Sequence, residues 1–134
     1  MTLVVDASAV VAYLVDDGFD GRWAEDVFAG SPLVAPQLLH AEVANVLRRA
    51  ELAGDIDAET ASAAHDDLLL LRVDLAGYAT CARRVWELRP SLTVYDAWYV
   101  ALAEEIGAPL ATLDRRLARA PGPRCEFTTP ARTG

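Results

Sequence analysis

Residues 93–118 read TVYDAWYVALAEEIGAPLATLDRRLA, a helical run, a break and a strand-like piece with a carboxylate on each side. A helical run, apolar around nearly its whole circumference, begins near Val94 and carries one carboxylate, Asp96, close to its start. Thr93 and Asp96 fit the [ST]-x-x-[DE] pattern of a capping box. Gly107-Ala108-Pro109 then breaks the helix, and Leu110 to Leu113 makes a short strand-like piece. A second carboxylate, Asp114, follows at once, well placed to cap a short helix over Arg115 to Ala120. An ionised carboxylate among apolar side chains is costly unless a partner or a cation compensates. Two of them around a single turn pose the question of a cation.

Toward the N-terminus the same grammar recurs. Leu3-Val4-Val5 is a β-branched run ending at Asp6, and a helical pattern from Ala7 to Leu14 starts immediately. Asp6 would stand at the strand's C-terminal end, where open α/β sheets place ligands. It is equally a helix N-cap, and Ser8 is available beside it. Phe19 to Ala29 has Phe19, Trp23, Val27 and Phe28 at helical spacing, as core or interface positions. Leu33-Val34-Ala35 reads as a second buried strand. Gln37 to Ala53 is the longest helix, with Glu42 near its start and no Arg three or four residues on to pair with it. A solvated Glu42 and a buried one both fit; its apolar neighbours favour the buried acid.

Beyond Gly54, Asp57 to Leu71 is an amphipathic helix whose Asp57, Glu59, Asp66 and Asp67 face solvent, with an isolated His65. Arg72-Val73-Asp74 is expected to be a third strand. Leu75 to Leu88 is expected to be a helix with Tyr78, Val85 and Trp86 inward. Past Pro121-Gly122-Pro123, Cys125-Glu126-Phe127 is expected as an edge strand, and residues 128–134 as a tail. The alternation predicts one α/β domain over residues 1–127, a central, mainly parallel sheet of four to five short strands flanked by helices. Its crossovers should be right-handed.

Composition narrows the function classes. At 134 residues and 53% hydrophobic the chain can bury a real core. Its formal charge of −8 speaks against a protein that coats nucleic acid with a broad basic surface. Every basic residue is Arg, so no mechanism that needs a lysine, including a phosphate-binding P-loop, is open to it. Cys81 and Cys125 form no CxxC or zinc spacing and are expected as free thiols. With no basic region preceding an apolar leader and no stretch long enough to span a bilayer, the expected location is cytoplasmic, without a membrane partner.

Asp6, Glu42, Asp96 and Asp114 share one context: a strand's C-terminal end or the first turns of a helix, amid apolar residues. If the strands ending at Asp6 and Asp114 are neighbours, the four acids line one edge of the sheet as a cup. Like charges so close raise one another's pKa, and a hard divalent cation relieves them. Oxygen ligands without His or Cys favour Mg²⁺ or Mn²⁺, and a phosphodiester is the natural substrate of such a centre. Taken singly, each acid is also explained as a cap.

The blocks VVDASAVVAYL, LLHAEVANVLRRA and TVYDAWYVALAEEIGAPLATLD, with the length of the chain, resemble the PIN-domain ribonucleases, specifically the VapC toxins of prokaryotic toxin–antitoxin pairs. The resemblance covers nearly the whole chain, and YDAxYxALAE and LATLDxxLxxA are its specific motifs. It implies a PIN-like three-layer sandwich and a Mg²⁺- or Mn²⁺-dependent endoribonuclease that leaves 5′-phosphate and 3′-hydroxyl ends. The family's acidic quartet falls on Asp6, Glu42, Asp96 and Asp114, with Ser8 and Thr112 at assisting hydroxyl positions. The expected roles are Asp6, Asp96 and Asp114 at the metal, and Glu42 ligating it or orienting the attacking water. Implied partners are a structured RNA such as tRNA or ribosomal RNA, a second copy of the chain, and a VapB-type antitoxin that covers the site. Arg48, Arg49, Arg115, Arg116 and Arg119 are candidates for phosphate contact, or else solvated helix faces.

Two other acidic Mg²⁺ pockets fit poorly. A response-regulator receiver needs a lysine, and a haloacid-dehalogenase-type phosphatase needs a DxD pair that Asp6-Ala7-Ser8 does not supply. The alternative from another class is an interaction module whose acids only cap helices and whose arginines bind a protein.

Overall fold

The computed structural model describes residues 1–131. Five short strands run β1 (Leu3–Val5), β2 (Leu33–Pro36), β3 (Asp74–Ala76), β4 (Leu110–Ala111) and β5 (Phe127–Thr128). The helices are α1 (Ala7–Val15), α2 (Phe19–Phe28), α3 (Leu39–Leu52), α4 (Ala58–Leu70), α5 (Ala82–Glu87), α6 (Val94–Ile106) and α7 (Arg115–Arg119). The sheet order is β3-β2-β1-β4-β5, and every pairing is parallel. The chain moves outward from β1 through β2 to β3, then returns past β1 to β4. Right-handed crossovers therefore put α1 to α4 on one face and α5 to α7 on the other, the three-layer α/β sandwich expected from the sequence. The strand order reverses between β1 and β4, so the crevice at their C-terminal ends is the ligand position of such a sheet.

The centre is dry. Leu3, Val4 and Val5 are all buried because β1 is covered on both faces, which is why it reads as a continuous apolar run. α6 packs on β1, β2 and β4 through Ala97, Val100, Ala101 and Leu102, which explains its nearly uniform apolar sequence. Each fully buried Val or Leu here stabilises the fold by roughly 1.5–3 kcal/mol, and an Asp in place of Val4 would reverse that sign. α6 starts where the Thr93 hydroxyl accepts the Asp96 N–H (3.1 Å) and ends at Gly107, whose φ of 65° is the left-handed conformation that glycine adopts without penalty.

Four local expectations are corrected. The third strand is Asp74–Ala76, not Arg72 to Asp74, and the next helix covers only Ala82–Glu87 within the expected Leu75 to Leu88. Leu75 and Ala76 pair with Ala35 and Pro36, and the Gln37 N–H reaches the Ala76 carbonyl at 3.0 Å, so the sheet claims residues whose apolar spacing also suits a helix. Val85 is buried as expected, but Tyr78 and Trp86 are 38% and 59% exposed. The last strand is Phe127–Thr128, shifted from Cys125 to Phe127, because Phe127 and Thr128 pair with Leu110 and Ala111. Thr128 thus belongs to the sheet, and the Pro130 carbonyl accepts a hydrogen bond from Arg115 Nη2. Tail residues 132–134 lie outside the described residues. The acids of α4 and His65 are exposed, and both cysteines are free, as read from the sequence.

Candidate active site

Asp6 follows β1, and Thr112 and Asp114 follow β4, its neighbour in the sheet. The Asp6 N–H donates to the Ala111 carbonyl at 3.2 Å, extending the ladder into the crevice. Asp6 is also the N-cap of α1: its Oδ1 accepts the Ala9 N–H (3.0 Å) and the Ser8 hydroxyl (2.6 Å). Its Oδ2 accepts the Thr112 hydroxyl. The Ser8 and Thr112 oxygens in turn accept the N–H groups of Leu113 and Asp114, both at 2.9 Å. Each hydroxyl therefore directs its one proton at Asp6 while the backbone after β4 holds its oxygen. Capping and site-building are the same set of bonds here.

Asp114 caps α7, its Oδ1 accepting the N–H groups of Arg116 (3.0 Å) and Leu117 (3.1 Å). Glu42, half-buried in the first turn of α3, accepts the Tyr99 hydroxyl on Oε1 at 2.6 Å. Tyr99 is a neighbour of the site that sequence reasoning misses. The signal was its place three residues after Asp96, hence on the same helical face.

The electrostatics tie the four acids together. Burial raises the Asp6 carboxyl to about 6, its hydrogen bonds to Ser8, Thr112 and Ala9 offsetting part of the rise and the Asp96 charge adding to it. Burial raises Glu42 as well, opposed by the Tyr99 hydrogen bond and reinforced by Asp96. Asp96 rises through burial and then through the charge of Asp114. Asp96 is the hub, acting on Asp6 and Glu42 and acted on by Asp114. Repulsion between carboxylates from separate segments adds to burial in raising these groups.

The donor set is oxygen only, suited to Mg²⁺ or Mn²⁺ and not to zinc. Among the described residues, no three His, Cys, Asp or Glu side chains stand close enough together to clasp a metal ion directly. Mg²⁺ keeps several of its waters and is usually bound through only one or two carboxylates, so it does not require three side chains in direct contact. Glu42 Oε2 and Asp114 Oδ2 accept no hydrogen bond from the described residues and stand available.

The arginines divide. Arg116 alone of the five candidates is felt in the cup, its charge opposing the rise at Asp96. Arg115 is tied to Pro130, and Arg119 Nε donates to the Arg115 carbonyl at 3.2 Å. Arg48 lines a shallow depression between α3 and α4 with Glu51, His65 and Asp66, and Arg49 is exposed in the last turn of α3. A larger cavity of about 710 Å³ near the start of β4, lined by Cys81, Arg84, Pro109 and Cys125 among others, includes none of the four acids.

The PIN domain family matches residues 3–123. Ribonuclease VapC1 of Mycobacterium tuberculosis is 45% identical over 127 residues, covering 92% of this chain and 94% of the relative. VapC ribonuclease Mb0985 of Mycobacterium bovis is 36% identical over 129 residues, covering 94% of this chain and 96% of the relative. Among solved structures, VapBC2 from Rickettsia felis, bound to a DNA fragment from their promoter, matches with a TM-score of 0.68. That match spans 96% of this chain and 98% of the other at 14% identity, a likeness of fold. M. tuberculosis VapC20, described as a Sarcin-Ricin loop cleaving toxin, shares the fold with a TM-score of 0.66 at 18% identity, over 87% of this chain and 93% of its own. By the extent of the PIN match and the identity of these relatives, the chain belongs to the PIN domain family, among its VapC ribonucleases.

Proposed function

We propose that the protein is the toxin of a type II toxin–antitoxin pair, a Mg²⁺- or Mn²⁺-dependent endoribonuclease whose working groups are Asp6, Glu42, Asp96 and Asp114. The observation that carries this reading is the gathering of four carboxylates from four distant segments at the β1/β4 switch point, each raising or raised by another. A divalent ion, when bound, supplies charge neutralisation for phosphate oxygens and a more acidic water. Asp6, Asp96 and Asp114 would hold it, directly or through water. Ser8 and Thr112 keep Asp6 oriented and acceptor-only. Glu42 orients the water that attacks the phosphorus, and in-line displacement leaves 5′-phosphate and 3′-hydroxyl ends. Arg116, beside Asp96 and Asp114, is the arginine best placed to meet the RNA backbone.

The relatives' names, ribonucleases and one VapBC pair, support an RNA substrate and an antitoxin partner; a tRNA or ribosomal RNA target, a VapB-type antitoxin covering the cup and a homodimer complete the proposal. Among the described residues no helix is long and apolar enough to cross a membrane, and the proposed place of action is the cytoplasm. The test is direct. Purified protein should cleave RNA with Mg²⁺, stop in EDTA, and lose activity in Asp96→Ala with an unchanged circular dichroism spectrum. Cleavage by Asp96→Ala at the wild-type rate, or cleavage indifferent to EDTA, would refute it.

A further inference from the structure

We propose that Tyr99 is a positioning residue: its hydroxyl holds the Glu42 carboxylate in the place from which Glu42 orients the attacking water. The role rests on the reading of Glu42 given above and adds a residue to it. Tyr99 is 2% exposed on α6, and its hydroxyl donates to Glu42 Oε1 at 2.6 Å across 57 residues of sequence. Because the partner is a carboxylate, the direction of that bond is settled: the phenol gives the proton.

The cup's acids are anchored differently. Asp6 has three donors, from Ser8, Ala9 and Thr112, and Asp114 has two backbone N–H groups. Glu42 has the longer, more flexible side chain and, among the described residues, this one hydrogen bond. A free glutamate retains rotamer freedom that must be lost before it can act from one position. The Tyr99 bond restricts that freedom beforehand and leaves Oε2 unengaged. α6 thereby does two things from one face: it presents Asp96, and one turn later it fixes an acid belonging to α3. The hydroxyl has no packing reason to exist in so apolar a helix, since Phe fills the same volume and burying an unpaired hydroxyl is costly.

The rival role is a purely structural link between α3 and α6. Four proteins separate the two: wild type, Tyr99→Phe, Glu42→Ala and the double variant. Each is assayed for kcat and KM on RNA, Mn²⁺ binding to the intact protein, and urea unfolding. Tyr99→Phe is expected to lose about 10- to 100-fold in kcat, the usual cost of losing a group that orients a metal-site residue. KM and Mn²⁺ affinity should stay within about twofold, since Asp6, Asp96 and Asp114 are untouched. On the Glu42→Ala background, Phe should lower kcat no further, because the bond is already gone. The proposal is overturned by a Tyr99→Phe kcat equal to wild type, by an equal further loss without Glu42, or by failure of Tyr99→Phe to fold. A wild type that does not cleave RNA with Mg²⁺ would instead refute the proposed function and this role with it.

Discussion

Asp6 should make the metal-free protein less stable as pH rises, the reverse of what a paired carboxylate does. Its folded carboxyl is raised from 3.8 to about 6, while the unfolded chain releases the proton near the ordinary value. Between those two values the folded state holds more protons than the unfolded one, so unfolding free energy falls as pH climbs through the window. A shift of roughly two pKa units corresponds to about 3 kcal/mol, fully expressed above about pH 7. Asp6→Asn removes the buried charge and should flatten this slope. An amide can still accept from Ser8 and Ala9 but meets Thr112 with a donor, so the net gain near pH 7 is expected at about 1–3 kcal/mol. Urea unfolding in EDTA between about pH 5 and pH 7.5, for both proteins, measures it. Mn²⁺ should then restore the wild type at the higher pH and leave Asp6→Asn unmoved. A wild type whose stability rises through this range, with Asp6→Asn weaker throughout, would refute the reasoning.

Thr112→Val, nearly isosteric, withdraws a donor from Asp6 and an acceptor from the Asp114 N–H. It should cost about 1–3 kcal/mol in urea unfolding, with Thr112→Ser near wild type; a Val variant as stable as wild type would count against the network. At Glu104, burial disfavours the charge, but hydrogen bonds from Arg84 and the Arg124 N–H outweigh it and hold the carboxyl below its usual value. Its stabilisation is therefore present above the unfolded pKa and lost as pH falls through the lower folded one. Glu104→Gln should cost about 1.5–3 kcal/mol near pH 7 and much less near pH 3, by thermal or urea melts. Gly21→Ala would set a Cβ 1.8 Å from the Asp16 carbonyl oxygen. It should destabilise by about 3 kcal/mol, and an unchanged melting temperature would show that α1 and α2 can part more easily than their packing suggests.

The capping and sheet-edge placement of Asp6 and Asp114 was legible in the sequence because one signature marks both. A carboxylate directly after a β-branched run and before a helix is both a cap and a residue at the sheet's ligand edge, as at Asp6 and Asp114. Glu42 could be inferred from its apolar neighbours. Tyr99 leaves only its spacing of three from Asp96 as a signal, since a tyrosine in an apolar helix looks like core and its partner lies on another helix. The β3 to α5 region misled for a related reason: Leu75 and Ala76 suit either period, and only pairing with β2 decides between them. Trp86 has the spacing of an inward helical residue, yet α5 is short and turns it out. The need for glycine at position 21 is invisible locally, because it comes from the close approach of a carbonyl in the preceding turn.

The central pairing of the sheet joins Val4 to Leu110, and this bears on how the molecule is born. Contacts between such remote segments cannot form until almost the whole chain has left the ribosome. Any product of interrupted synthesis that stops before residue 110 lacks β4, Thr112 and Asp114, and leaves β1 open along one side. Under the proposed reading, a destructive activity is withheld from every unfinished copy by topology alone, before any inhibitor need be present.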